Sequence, residues 1–283
     1  MPSVRTDDGR TLSWRELGSG PPLFCHPGGP GCSSLYFGGL PELAAERTLL
    51  LLDPRGTGDS DRPADPSAYD LEDYAADIEA VRGELGLERL DLLGHSHGGF
   101  VAMAWAGTHP DRVGRLVLAG TAPRFTDLIR GRRMERVASH QGRPYFADAL
   151  AALQDQQAGS YSTDEELLAL YERAGPLLAP VGEDITPVAD AFRAAGINAD
   201  ALKHSNERVA GTMDLRPLLR RIEAPTLVIH GDRDPFGGAT ADEIADALPD
   251  PRVVTVPGGD HFAFLEPDSR APWSRAVLDF LAG

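Results

Sequence analysis

LDLLGHSHGGFVAM, Leu90 to Met103, sets a serine between two elements of different kind. The apolar run Leu90 to Leu93 has the length of a buried strand, and GGFVAMAWAG after it has the composition of a packed helix. Between them lies Gly94-His95-Ser96-His97-Gly98, a G-x-S-x-G pattern in a strand-to-helix context. A serine turned sharply at such a point sits at strained φ/ψ, and bulky residues two positions on either side would collide with it. The helix behind it directs free N–H groups toward a reacting carbonyl, which favours developing negative charge.

Short apolar runs alternate with helical patterns on both sides of this elbow. The strand-like runs are Pro22 to Cys25, Thr48 to Leu52, Leu90 to Leu93, Arg115 to Ala119, Thr226 to His230 and Val253 to Val256. Helix-like stretches cover Leu71 to Leu85, Gly98 to Thr108, Ala239 to Leu248 and Pro272 to Leu281. That alternation predicts an α/β fold with a mostly parallel sheet wrapped by helices. From about Arg124 to Arg216 the pattern changes to amphipathic pieces, such as Asp164 to Arg173 and Asp190 to Ala194, separated by Gly and Pro breakers. The expected organisation is a core of residues 1–123 and 217–283 with a helical cap, 124–216, inserted after the strand that ends at Ala119.

The formal charge of -16 argues against a nucleic-acid or anionic-membrane partner, since both need a concentrated basic surface. No run of about 18 apolar residues is present to span a membrane, and the N-terminus lacks the basic-then-apolar order of a secretory signal. A cytoplasmic protein is expected. Cys25 and Cys32, the only cysteines, have no zinc spacing, and neither metal nor cofactor is expected. Oligomeric state is not legible.

A serine hydroxyl needs a base to take its proton and a carboxylate to orient that base. His261, in VTVPGGDHF just past the last strand, is the base expected from strand placement and chain order. TLVIHGDRDP supplies two carboxylates on a strand exit, Asp232 and Asp234, while Asp260 is expected to point elsewhere. The N–H of His97, the residue after the serine, is one oxyanion donor. The second is assigned to Gly29 in CHPGGPGCSS, with Gly28 as its neighbour, because glycines let the backbone approach a substrate oxygen. His95 is expected to pack beneath the elbow and His97 to line the pocket. Phe37 and Phe125 stand among the aromatics expected to form an apolar acyl pocket.

With these residues placed, the chain resembles the α/β-hydrolase superfamily, and within it the proline iminopeptidase group of serine hydrolases. The residues that carry the resemblance are GGPG at Gly28 to Gly31, LLDPRGTGDSDRP at Leu51 to Pro63, GHSHGG at Gly94 to Gly99, GDRDP at Gly231 to Pro235 and GGDHF at Gly258 to Phe262. It implies an α/β-hydrolase fold with the cap after the sixth strand, and Ser96, Asp234 and His261 as a cofactor-free triad. By the same resemblance Asp232 becomes a turn residue, and Arg55 and Asp59 hold a structural loop. Relatives of this group read HGGPG, whereas Pro27 here takes the histidine's place and His26 precedes it. They also hold a substrate amine between carboxylates; one such position is occupied here by Pro235, and Glu207 resembles the other. The implied function is hydrolysis of a small-molecule ester, lactone or amide, or of a short peptide as a true proline iminopeptidase. A non-hydrolytic cyclase, lyase or ligand receptor on the same fold is the reading from another class.

Overall fold

The computed structural model describes all 283 residues. Eight strands form one sheet in the order β1-β2-β4-β3-β5-β6-β7-β8. They are β1 (Ser3–Arg5), β2 (Thr11–Gly18), β3 (Pro22–His26), β4 (Thr48–Asp53), β5 (Leu90–His95), β6 (Val113–Ala119), β7 (Thr226–Gly231) and β8 (Pro251–Val256). From β4 to β8 every neighbouring pair is parallel, so the C-terminal ends of these strands share one edge. β1 and β2 pair antiparallel and were not foreseen among the strands. β1 has three residues, and the second half of β2 is polar and exposed, so neither carries the apolar run that marks the central strands.

Alternation along each central strand sends neighbouring side chains to opposite faces. Leu50 and Leu52 join one apolar cluster with Leu92, Leu116 and Val228, under the helices Leu71–Glu84 and His97–Thr108. Leu49 and Leu51 join the other with Leu93, Val117 and Ile229, under the C-terminal helix Arg270–Ala282. Both faces are thus covered, which explains why β4 and β7 read as continuous apolar runs rather than alternating ones.

Between β6 and β7 the chain forms no strand. Helices Asp127–Ser139, Phe146–Gln157, Asp164–Ala174, Thr186–Ala195 and Ala199–His204 follow one another, the last running into a π-helical turn, Ser205–Val209. A capping box, Thr163 with Glu166, starts the third of these helices. The expected α/β-hydrolase fold with a helical cap after the sixth strand is what the chain forms.

Candidate active site

β5 ends in the elbow. Ser96 lies at φ 54° and ψ -117°, a left-sided conformation that L-residues avoid. Its N–H bonds the Ala119 carbonyl at 2.9 Å and its own carbonyl accepts from the Thr121 hydroxyl at 2.8 Å, so neighbouring β6 holds the strain in place. Gly98 explains the second glycine of the pattern. A Cβ there would lie 2.2 Å from the His26 carbonyl oxygen and 2.6 Å from that of Pro27.

The structure brings together Ser96, His261 and Asp234 from three separate loops at the C-terminal edge. His261 Nε2 is 3.1 Å from Ser96 Oγ, and His261 Nδ1 is 3.1 Å and 3.2 Å from the two Asp234 oxygens. An ionised carboxylate only accepts, so Nδ1 carries the proton and Nε2 is left bare to accept from the serine hydroxyl. Burial alone would raise the Asp234 pKa. The adjacent His261, with its hydrogen bond, and the Phe236 N–H at 2.9 Å outweigh burial and hold this carboxyl below the usual range. Gly120, at φ 52°, leaves room for the pair: a Cβ there would come within 2.9 Å of Asp234 Oδ2 and 3.2 Å of His261 Nδ1.

His95 forms a strut under the site. Its Nε2 is 2.8 Å from the His261 carbonyl, which can only accept, so Nε2 donates and Nδ1 takes a hydrogen bond from the Tyr36 hydroxyl at 2.8 Å. Burial depresses its pKa to about 3, which keeps it neutral. His97 is also buried and lowered to about 3 by desolvation and the nearby His26, and its ring lines the cavity above the elbow. No three His, Cys, Asp or Glu side chains are grouped as metal ligands would be. Burial raises both cysteine thiols far above their ordinary value, so neither is a nucleophile.

Ser96, His97, Gly29, Phe125 and His261 border one cavity of about 570 Å³ between sheet edge and cap, with Phe100, Phe192, Phe236 and Phe262 also in its wall. Gly28 sits directly against the serine: a Cβ on it would lie 3.0 Å from Ser96 Cβ. A second cleft of about 450 Å³, lined by Arg132, Arg136, Asp232, Asp234 and Pro235 among others, reaches neither Ser96 nor His261.

Two expected pocket residues fall elsewhere. Phe37 does not border the cavity: it and Tyr36, both 1% exposed in the tight turn Ser34–Phe37, each pack on Phe264, and of the two only Tyr36 reaches the cavity wall. Glu207 is exposed; its neighbours Ser205, Asn206 and Ala210 reach the cavity and it does not. Asp232 is exposed and its carboxylate makes no turn-closing hydrogen bond, whereas Asp260 points away to pair with Arg136 at 2.6 Å. Arg55 is structural: it grips Asp77 through two nitrogens at 2.7 Å and 2.8 Å, both residues buried.

The first cap helix, Asp127–Ser139, is fastened to the loops that carry the site. Arg136 bonds the Arg233 and Leu178 carbonyls besides Asp260, and Arg132 bonds the Gly237 carbonyl at 2.7 Å. No motif announced these contacts; the only sequence signal was the arginine-rich run RGRRMER, Arg130 to Arg136.

The family profile described as alpha/beta hydrolase fold matches residues 21–268. The chain belongs to the α/β-hydrolase family. This α/β hydrolase is 31% identical over 264 residues, 92% of its length and 88% of the relative's, to 2-(acetamidomethylene)succinate hydrolase of Mesorhizobium japonicum. It is 28% identical to the proline iminopeptidase of Lactiplantibacillus plantarum, over 87% of each chain. The solved structure of a hydrolase from Pseudomonas aeruginosa matches with a TM-score of 0.73 at 29% identity, covering 100% of this chain and 98% of that one. No helix of this α/β hydrolase is long and apolar enough to cross a membrane.

Proposed function

We propose that the chain is a serine hydrolase that acts through an acyl-enzyme on a small-molecule ester, lactone or amide. The observation that carries this reading is the His261 imidazole lying 3.1 Å from Ser96 Oγ on one side and 3.1 Å from Asp234 on the other, beside a cavity walled by Phe100, Phe125, Phe236 and Phe262 together with polar side chains. Ser96 Oγ attacks the carbonyl as Nε2 takes its proton, Asp234 stabilises the imidazolium, and the proton passes to the leaving group. Water then repeats the sequence on the acyl-enzyme. The N–H groups of His97 and Gly29 receive the oxyanion, each worth on the order of 3 kcal/mol in the transition state. In this reading residues 124–216 form the cap that walls the substrate from water, over a core of 1–123 and 217–283.

The iminopeptidase sub-case is less well supported. A substrate ammonium in a closed site needs carboxylate partners. Glu207 stands outside the cavity, and no Asp or Glu is in its wall. The test is a panel of p-nitrophenyl butyrate, a γ-lactone, proline p-nitroanilide and its N-acetyl form, with wild type and Ser96→Ala. Ester or lactone turnover lost in Ser96→Ala is expected. Release from proline p-nitroanilide but not from its acetylated form would restore the iminopeptidase, and failure of wild type both to turn over any member and to react with a fluorophosphonate would overturn the serine hydrolase.

A further inference from the structure

The cavity differs in charge from the molecule around it. Acidic residues make up 43 of the 283, so 31 residues drawn at random would include four or five, yet the 31 that line the cavity include none. The charged side chains in the wall are Arg133 and Arg136, both on the first cap helix. This helix carries four arginines, and three have partners: Arg130 pairs with Asp127, Arg132 bonds backbone carbonyls at Pro235 and Gly237, and Arg136 is enclosed by Asp260 and two carbonyls. Arg133 alone makes neither an ion pair nor a hydrogen bond. It stands within electrostatic range of Tyr171, another residue of the wall.

We infer that the substrate carries a carboxylate, and that Arg133 receives it while Ser96 attacks a carbonyl elsewhere on the same molecule. The proposal rests on the serine hydrolase reading above and adds its substrate class: small esters, lactones or amides with a free acid. A guanidinium presents a planar fork of donors that matches a carboxylate. Its neighbours Arg132 and Arg136 tie the helix to the Asp234 and His261 loops, so the backbone that carries Arg133 is fixed relative to the reacting groups while its exposed guanidinium has no partner in the protein. The opposing field of a chain with formal charge -16 is screened beyond about 8 Å at physiological salt, so the local cation governs an anion inside the cavity.

The experiment compares two substrates with the same scissile bond, the p-nitrophenyl monoester of glutaric acid and its methyl-capped diester. Wild type should prefer the free acid in kcat/KM by roughly ten- to a hundredfold, the range of a hydrogen bond to a charged group. In Arg133→Gln that ratio should fall toward one, Arg133→Lys should restore part of it, and Arg133→Glu should invert it. A wild type indifferent to the free acid, or a preference that survives in Arg133→Gln, overturns the proposal. Calorimetric titration of monomethyl glutarate into Ser96→Ala, with and without Arg133→Gln, reads the same site without turnover. Binding that weakens tenfold or more in the double variant supports the carboxylate site even where the hydrolase reading fails, and equal binding to both overturns the site even where that reading holds.

Discussion

Replacing Gly98 with alanine sets two effects against each other. Alanine is the better helix former by up to about 1 kcal/mol, so propensity alone predicts a stabilised His97–Thr108 helix. The new Cβ, however, would lie 2.2 Å from the His26 carbonyl oxygen, against the 3.4 Å at which ordinary contact begins. Both contacts at this point are backbone, so no side chain can rotate away. The end of β3 must retreat by about 1 Å, at a cost of about 1–3 kcal/mol for overpacking, and crowding wins over propensity. The loop that moves carries Gly28 and Gly29, the second of them the proposed oxyanion donor. A displacement of about 1 Å there costs on the order of a hundredfold in rate. Gly98→Ala should therefore melt below wild type and lose about two orders of magnitude in kcat/KM on p-nitrophenyl butyrate, with a parallel loss in fluorophosphonate labelling. Gly83→Ala is the control, since a Cβ there meets nothing within 4 Å and should raise the melting temperature. Wild-type kcat/KM in Gly98→Ala, with a raised melting temperature, would mean that the close approach does not position the oxyanion loop.

Three further outcomes are expected. Burial lowers His26 to about 4 and His95 and His97 to about 3, so the unfolded chain, with histidines near 6.5, binds protons first as pH falls. Stability from these groups is complete above about pH 6.5 and is lost below it, by up to about 1.4 kcal/mol per pH unit for each histidine. His97→Phe should show a shallower acid slope than wild type in urea unfolding between pH 6.5 and 5, and parallel slopes would disprove the link. Arg55→Leu removes two of the three hydrogen bonds to the buried Asp77 carboxylate and leaves it to Arg10 at 3.2 Å, so a loss of about 1.5–3 kcal/mol is expected; a denaturant midpoint unchanged in this variant would contradict it. Tyr36→Phe leaves His95 Nδ1 buried without a donor, so a loss of about 1–3 kcal/mol is expected by thermal denaturation, together with a lower kcat. Unchanged values of both would show that the strut beneath His261 carries no load.

The chemistry of this site is legible because it rests on local rules. Ser96 is marked by glycines whose absence of Cβ the turn requires, and His261 and the Asp232/Asp234 pair are marked by following apolar strands to their ends. Pocket residues obey no local rule. Tyr36 and Phe37 are adjacent, chemically alike, equally buried and both packed on Phe264, yet only Tyr36 borders the cavity, a difference set by the turn as a whole and not by either residue's type. Glu207 resembled an amine ligand in sequence, but the π-helical turn puts it on the solvent side. Arg133 is one of four arginines in a short run, and what distinguishes it is that the other three have partners distributed over residues 127 to 260. β2 escaped notice for a related reason: at the sheet's margin it needs only part of its surface covered.

The attachments of the cap have a bearing on how substrate enters. Breaking the Arg136–Asp260 pair, whose side chains are 12% and 5% exposed, costs about 3–5 kcal/mol, so a swing of the first cap helix is populated in well under one molecule in a hundred. The far end is pinned as well, since Asn198 donates to the Gly56 carbonyl at 2.9 Å and the Tyr69 hydroxyl at 3.0 Å, and its N–H bonds Gly31. The stretch between, from Gly142 to Gly196, is tied down too: beside the exposed Arg62–Asp164 pair, the Leu178 carbonyl accepts from Arg136, Glu183 pairs with Arg233, and Phe192 packs edge-on against Tyr36 and Phe262. The cap is thus a cover bolted at both ends and along its middle rather than a leaf on one hinge. Arg133 stands on a firmly held helix, so the position that would select the substrate is carried by a fixed wall of the cavity.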